Sequence, residues 1–217
     1  MLTIEQCWNR HAGQTCLIVG VAPNLKLTPP PLFSFPSFGV NTIYKQTEWD
    51  WKPTYYVGVD ERLRIEDGDV VCSVYSDVPK FFPSPDWDKQ QGKNILRFVH
   101  RQGGNLYVGG QLANHKEALV KHGITYHYIM GAVFQIAWHM GFTTMLIIGM
   151  QHNPQDTRAH FWGQDTAAVV QPQEPWFDEY RTFRGMMTNV TMLNISPDTY
   201  VPEEVIPRDD WQKWIIQ

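Results

Sequence analysis

The sequence predicts an α/β protein: one Rossmann-like nucleotide-binding domain over residues 1–217, with a mostly parallel sheet of six or seven strands and helices on both faces. Three observations predict it. Short, β-branched apolar runs recur along the chain; other segments carry apolar residues at helical spacing; and the two kinds alternate, as strand, helix, strand units require. The length of 217 residues suits a single domain and can bury a core without disulfides or a structural metal.

The first run, Cys16-Leu17-Ile18-Val19-Gly20-Val21, is continuous and closed by Ala22-Pro23-Asn24, as a strand buried on both faces would be. Similar runs predict strands at Phe38 to Ile43, Tyr55 to Val59, Val70 to Tyr75, Leu106 to Val108, Met145 to Ile148 and Thr191 to Ile195. The prolines at 29, 30, 31 and 36 predict a loop. The clearest helix runs from about Tyr128 to Met140, with Met130, Val133, Phe134, Ala137 and Trp138 on one face and Gly141 as its stop. A second spans about Phe177 to Asn189, with Phe177, Tyr180, Phe183 and Met187 near helical spacing, and leads into the last strand.

Composition narrows the function classes. The chain is 43% hydrophobic and 18% charged, and no uninterrupted apolar stretch approaches the ~20 residues that span a bilayer. A net charge of −4 with scattered Lys and Arg lacks the basic stripe of a protein that tracks a phosphate backbone, which disfavours nucleic acid as partner or acceptor. Cys7, Cys16 and Cys72 form no Cys-x-x-Cys pair and read as reduced, buried thiols. The amino terminus has neither a basic start nor an apolar signal core, so the expected compartment is the cytoplasm. Aromatic residues, 13% of the chain, could line a sugar or base pocket as well as fill a core.

In such sheets ligands bind outside the carboxyl ends of the strands. After the first strand, Gly20 permits a sharp turn, Ala22 permits close backbone approach, and Pro23 and Asn24 follow; exposed N–H groups there could hold phosphate, or the segment is a plain strand-ending turn. The loop is neither Gly-x-Gly-x-x-Gly nor a Walker loop. Asn41, Asp60 and Gln151 each follow an apolar strand, where such residues bind ribose, base or metal, or cap the next helix. Eight histidines show no His-Glu-x-x-His spacing, so no built-in metal site is expected. His160, in Arg158-Ala159-His160-Phe161-Trp162-Gly163, is the candidate general base, and His152 competes for the role; His115, His122 and His127 read as surface residues.

Taken in order, these pieces resemble the bacterial sialyltransferase-like glycosyltransferases and the related superfamily that includes archaeal-type hydroxymethylpterin diphosphokinases. The likeness lies in Gly20-Val21-Ala22-Pro23-Asn24-Leu25, Asn41, Asp60, Met130-Gly131, Trp138-His139-Met140-Gly141-Phe142, Ile147-Ile148-Gly149-Met150-Gln151, His160-Phe161 and the closing Asn194-Ile195-Ser196-Pro197-Asp198-Thr199. The resemblance implies a nucleotide-sugar donor as substrate, CMP-linked being one choice, and a small-molecule or glycan acceptor. By it, Gly20, Ala22, Pro23 and Asn24 would contact phosphate or sugar. Asn41 and Asp60 would hold the nucleotide, Gln151 and Ser196 would complete the donor site, and Gly131 would approach phosphate at a helix N-terminus. His160 would deprotonate the acceptor hydroxyl. The chain departs from the family at Ala22, Asn24, Met130 and Gln151; with a neutral amide at 151, a bound Mg²⁺ would lose an anionic ligand. An ATP-dependent, diphosphokinase-like transferase and a catalytically inactive nucleotide-binding protein remain as alternatives. A homo-oligomer is compatible with all three.

Overall fold

In the computed structural model, residues 3–100, 123–124, 126–153 and 173–215 are described. The apolar run after Gln14 forms β1 (Thr15–Val19), whose alternate side chains enter different cores. Cys16 and Ile18 face one side of the sheet, Leu17 and Val19 the other. That two-sided burial is why the run is continuously apolar rather than alternating. β2 (Ser37–Val40) and β3 (Tyr55–Val57) follow, then helix α1 (Glu61–Ser73). β4 (Lys80–Ser84) and β5 (Ile95–Val99) come next, then α2 (Ile129–His139), β6 (Thr144–Ile148), α3 (Glu174–Met186) and β7 (Thr191–Asn194).

All pairings within the sheet are parallel, in the order β5-β4-β3-β2-β1-β6-β7. α2 and α3 cover one face through Met130, Val133, Phe134, Ala137, Tyr180 and Phe183. α1 covers the other through Leu63, Val71 and Cys72, with Phe33, Ile43 and Trp87 beside it. The fold is the expected Rossmann-like α/β sheet with seven strands and helices on both faces.

Several elements differ from expectation. Of Val70 to Tyr75, expected as a strand, residues 70–73 form the last turn of α1, whose N-cap Asp60 accepts the Arg62 N–H on its carboxylate at 2.8 Å. Burial of Val71 and Cys72 with exposure of Val70 and Ser73 is a helical pattern that the β-branched run conceals. The second strand ends at Val40 because Asn41 turns out of the sheet with φ +41°. Two strands were unforeseen. β4 opens on Lys80 and contains Pro83; the three-residue β3 pairs only as far as Phe81, so the missing Pro83 N–H has no strand to serve on that side. The apolar run of β5 is broken by Arg97, whose guanidinium lies 5.6 Å from the Phe82 ring centre. The strand expected at Leu106 to Val108 lies outside the described residues.

Candidate functional site

The chain winds outward from β1 to β5 and then returns to place β6 against the other side of β1. This reversal locates the crevice where open α/β sheets bind ligands, at the carboxyl ends of β1 and β6. Gly20 and Gly149 define its floor. The Gly20 N–H donates to Ile148 O at 2.9 Å and the Ala22 N–H to Gly149 O at 3.0 Å, extending the β1 and β6 pairing beyond the strands. A Cβ on Gly20 would lie 2.3 Å from Gly149 O, and Gly149 itself turns with φ +65°. Gly20 is thus required by the neighbouring backbone.

Ala22 is extended and Pro23 opens a short 3-10 turn, Pro23–Leu27. Asn24 is 3% exposed and its Nδ2 donates to Pro197 O at 2.7 Å, tying the loop after β1 to the loop after β7. That bond fixes the amide, leaving Oδ1 buried with no partner among the described residues. Ser196 knits β6 to β7: its Oγ accepts the Met150 N–H at 3.2 Å, and its own N–H donates to Asn194 Oδ1 at 3.0 Å. Gln151 is buried; its carbonyl accepts the Tyr200 N–H at 2.7 Å, while Oε1 has no partner among the described residues. Gly20, Ala22, Pro23, Asn24, Gln151 and Ser196 therefore belong to one connected set of loops around the reversal.

Asn41 and Asp60 form a second group, at the ends of β2 and β3. Asn41 Oδ1 accepts the Val59 N–H at 3.2 Å, its carbonyl accepts the Tyr56 hydroxyl, and Asp60 caps α1. The third group surrounds the start of α2. A Cβ on Gly131 would lie 2.3 Å from Glu179 Oε1 and 2.8 Å from the Phe183 ring, so a carboxyl group from α3 fills the space beside it. Glu179 was missed in the sequence. Its signal was position: it falls three residues after Trp176 and four before Phe183, inside the buried stripe of α3. Burial raises its pKa to about 7, against bonds from the His127 and Tyr128 N–H groups that favour the ionised form.

His152 lies at the end of β6 with φ +53°, half-buried against the Trp176, Phe177 and Tyr180 rings. Nδ1 is 2.7 Å from Gln173 Oε1 and Nε2 is 3.2 Å from the Tyr180 hydroxyl. One neutral tautomer, assigned from these partners, satisfies both: Nδ1–H donates to Gln173, and Nε2 accepts from Tyr180. Burial pushes its pKa down to about 4, so the ring is neutral at neutral pH and its lone pair is engaged. His152 is poorly placed to take a substrate proton. His160, like His115 and His122, lies outside the described residues; His127 gives its backbone N–H to Glu179 at 2.9 Å.

Among the described residues no group of three or more His, Cys, Asp or Glu side chains could hold a metal ion, and no helix is long and apolar enough to cross a membrane. Gln151, the position where the resemblance puts an acidic ligand, does not supply the hard anionic donor that Mg²⁺ prefers.

Neither a family model nor a curated protein matches the chain. Among solved structures, the sialyltransferase CstII from Campylobacter jejuni, in complex with a substrate analogue, cytidine-5'-monophosphate, aligns with a TM-score of 0.51 at 10% identity, covering 90% of this chain and 84% of that one. The architecture is sialyltransferase-like. At this identity the sialyltransferase-like likeness is one of backbone path, and the chemistry of the site rests on the residues described above.

Proposed function

We propose that the chain is a nucleotide-sugar-dependent glycosyltransferase that transfers a sugar to an acceptor hydroxyl. The observation that carries this reading is the reversal of winding at β1, in an architecture similar to that of a sialyltransferase in complex with cytidine-5'-monophosphate. The loop Gly20, Ala22, Pro23, Asn24 approaches the donor at the crevice. Gln151 and Ser196 line its β6 and β7 side, Asn41 and Asp60 its β2 and β3 side, and Gly131 its α2 side. The step is direct displacement: the acceptor oxygen forms the new glycosidic bond, the sugar–phosphate bond breaks, and the nucleotide leaves with the electron pair. His160 takes the acceptor proton. With no metal-ligand set among the described residues, no step is routed through a cation.

Thermal-shift screening with CMP, UDP, GDP and ATP, with and without Mg²⁺, tests the reading. Stabilisation by CMP or a nucleoside diphosphate without metal supports it; metal-dependent stabilisation by ATP alone favours a diphosphokinase-like transferase. Replacing His160 by Ala should lower turnover by about 10²- to 10⁴-fold with nucleotide binding nearly intact. An unchanged turnover number removes His160 from the mechanism. A second reading, a nucleotide-binding protein without catalysis, draws on the internal engagement of Asn41, Asp60 and Ser196 by backbone groups. It predicts nucleotide binding with no sugar transfer.

A further inference from the structure

The amino end of α2 combines a demand for negative charge with a buried group able to carry a proton. α2 has no side-chain cap of its own. The N–H groups of a first helical turn lack a carbonyl one turn back and, with the helix dipole, favour an anion. α3 meets part of that demand: Glu179 Oε1 accepts the His127 N–H at 2.9 Å, ahead of the helix. The amides of Ile129 and Met130, inside the first turn, have no acceptor within the helix. The other carboxyl oxygen, Glu179 Oε2, is buried with no hydrogen-bond partner among the described residues, on a side chain that is 1% exposed. Gly131, lacking a side chain, is what lets this carboxyl sit against α2.

Among the described residues, the titratable and charged groups around Glu179 are few. Tyr128 precedes α2, and the first turn of α2 bears no charged side chain. Tyr180 lies beside Glu179 on α3, with His152 behind it. Asp178 and Arg181 pair with each other on the outer face of α3 at 2.8 Å. Burial holds Tyr180 far above the usual phenol range and His152 down at about 4, so neither changes charge near neutrality. His127 is the remaining titratable neighbour among the described residues and requires its own control.

We propose that Glu179, as the neutral acid, donates a hydrogen bond from Oε2 to the phosphate of a bound nucleotide, so that nucleotide and proton bind together. The inference rests on the nucleotide reading above. An ionised carboxylate beside Gly131 repels a phosphate, whereas the acid supplies the donor that phosphate oxygens need. A phosphate dianion raises the carboxyl pKa further, and by linkage affinity falls about tenfold per pH unit once the free carboxyl ionises.

Calorimetric titration with CMP at pH 8, in two buffers of different ionisation enthalpy, reads the protons taken up. At that pH the phosphate, with a second pKa near ~6, has no proton to gain or lose. The wild-type protein should take up close to one proton per CMP. Glu179→Gln, which keeps an acceptor for the His127 N–H, should bind CMP with no uptake and without the alkaline loss of affinity. His127→Gln should retain the uptake. CMP binding by the wild type without proton uptake, or equal uptake by Glu179→Gln, overturns this inference and leaves the nucleotide reading standing. Failure of the wild type to bind CMP at any pH overturns this inference, and silence across the whole nucleotide panel overturns the broader reading too.

Discussion

Burial moves the titrations of Glu179 and His152 in opposite senses, because one is charged when it loses a proton and the other when it gains one. The folded-state pKa of Glu179, about 7, lies above its ordinary 4.5, so its stabilising contribution is fully present below about 4.5 and is lost as pH rises through 7. The loss is about 3 kcal/mol. His152 falls from 6.5 to about 4, so its contribution is present above 6.5 and is lost as pH falls through 4. The two windows overlap and oppose, so urea unfolding across pH 4 to 9 should show Glu179→Gln gaining stability relative to the wild type as pH rises from about 4.5 to 7; a difference that stays constant over that range would assign the titration elsewhere. Glu179→Ala, which orphans the His127 N–H, should cost about 1–3 kcal/mol at pH 6, read as a lower urea midpoint. The stripe of α3 was legible in sequence, but Glu179 was not: a carboxylate among aromatics scores as an interruption of the apolar pattern, and only the backbone of α2, remote in sequence, explains it.

At the scale of elements, the meeting of β1 and β6 decides how closely the crevice floor can be drawn. A methyl group at position 20 has no room beside the Gly149 carbonyl, so Gly20→Ala must part the two strand ends. The expected cost is about 1–3 kcal/mol or more, measured by chemical denaturation, with weaker nucleotide binding alongside. Substitution by Ala at the fully open Gly185, on α3, should be tolerated and serves as the contrast. The strands readable in advance, β1, β2, β3, β6 and β7, are those whose apolar residues are consecutive because both faces are covered. β4 and β5 were not readable, since Lys80, Pro83 and Arg97 break the run. Lys80 is fully buried nonetheless, its ammonium donating to the carbonyls of Tyr75 at 2.9 Å and Val78 at 3.3 Å. Those partners belong to the turn before β4, an arrangement no local pattern announces.

At the scale of the molecule, the loops that follow β1, β6 and β7 are held together by amide and hydroxyl side chains. Asn24 to Pro197, Ser196 to Met150 and Thr199 to Met150 connect the ends of β1, β6 and β7. The positions were legible as polar residues after apolar strands; which of them would serve the backbone and which would keep a free acceptor was not, because that depends on neighbours 46 to 173 residues away. A nucleotide seated across these loops should stabilise the entire domain. At 100 times its dissociation constant it adds ~2.7 kcal/mol, a rise of several degrees in Tm for a chain of this size. Asn24→Ala should reduce that rise and lower the unliganded Tm slightly, about 1 kcal/mol for the lost bond to Pro197. A ligand-induced rise identical to that of the wild type would place the ligand away from β1.

The strand at the reversal, β1, has a temporal consequence. β1 leaves the ribosome well before the partner it needs on one edge, β6, which lies roughly 130 residues further along the chain. Until that partner arrives, β1 exposes a bare, sticky border of unpaired amides and carbonyls beside an apolar face. Its closure demands the most distant encounter in the sheet, so the β1–β6 seam should be the slow, committing event of assembly. A chain arrested before residue 144 should remain open to proteases and chaperones however well its first five strands have been made.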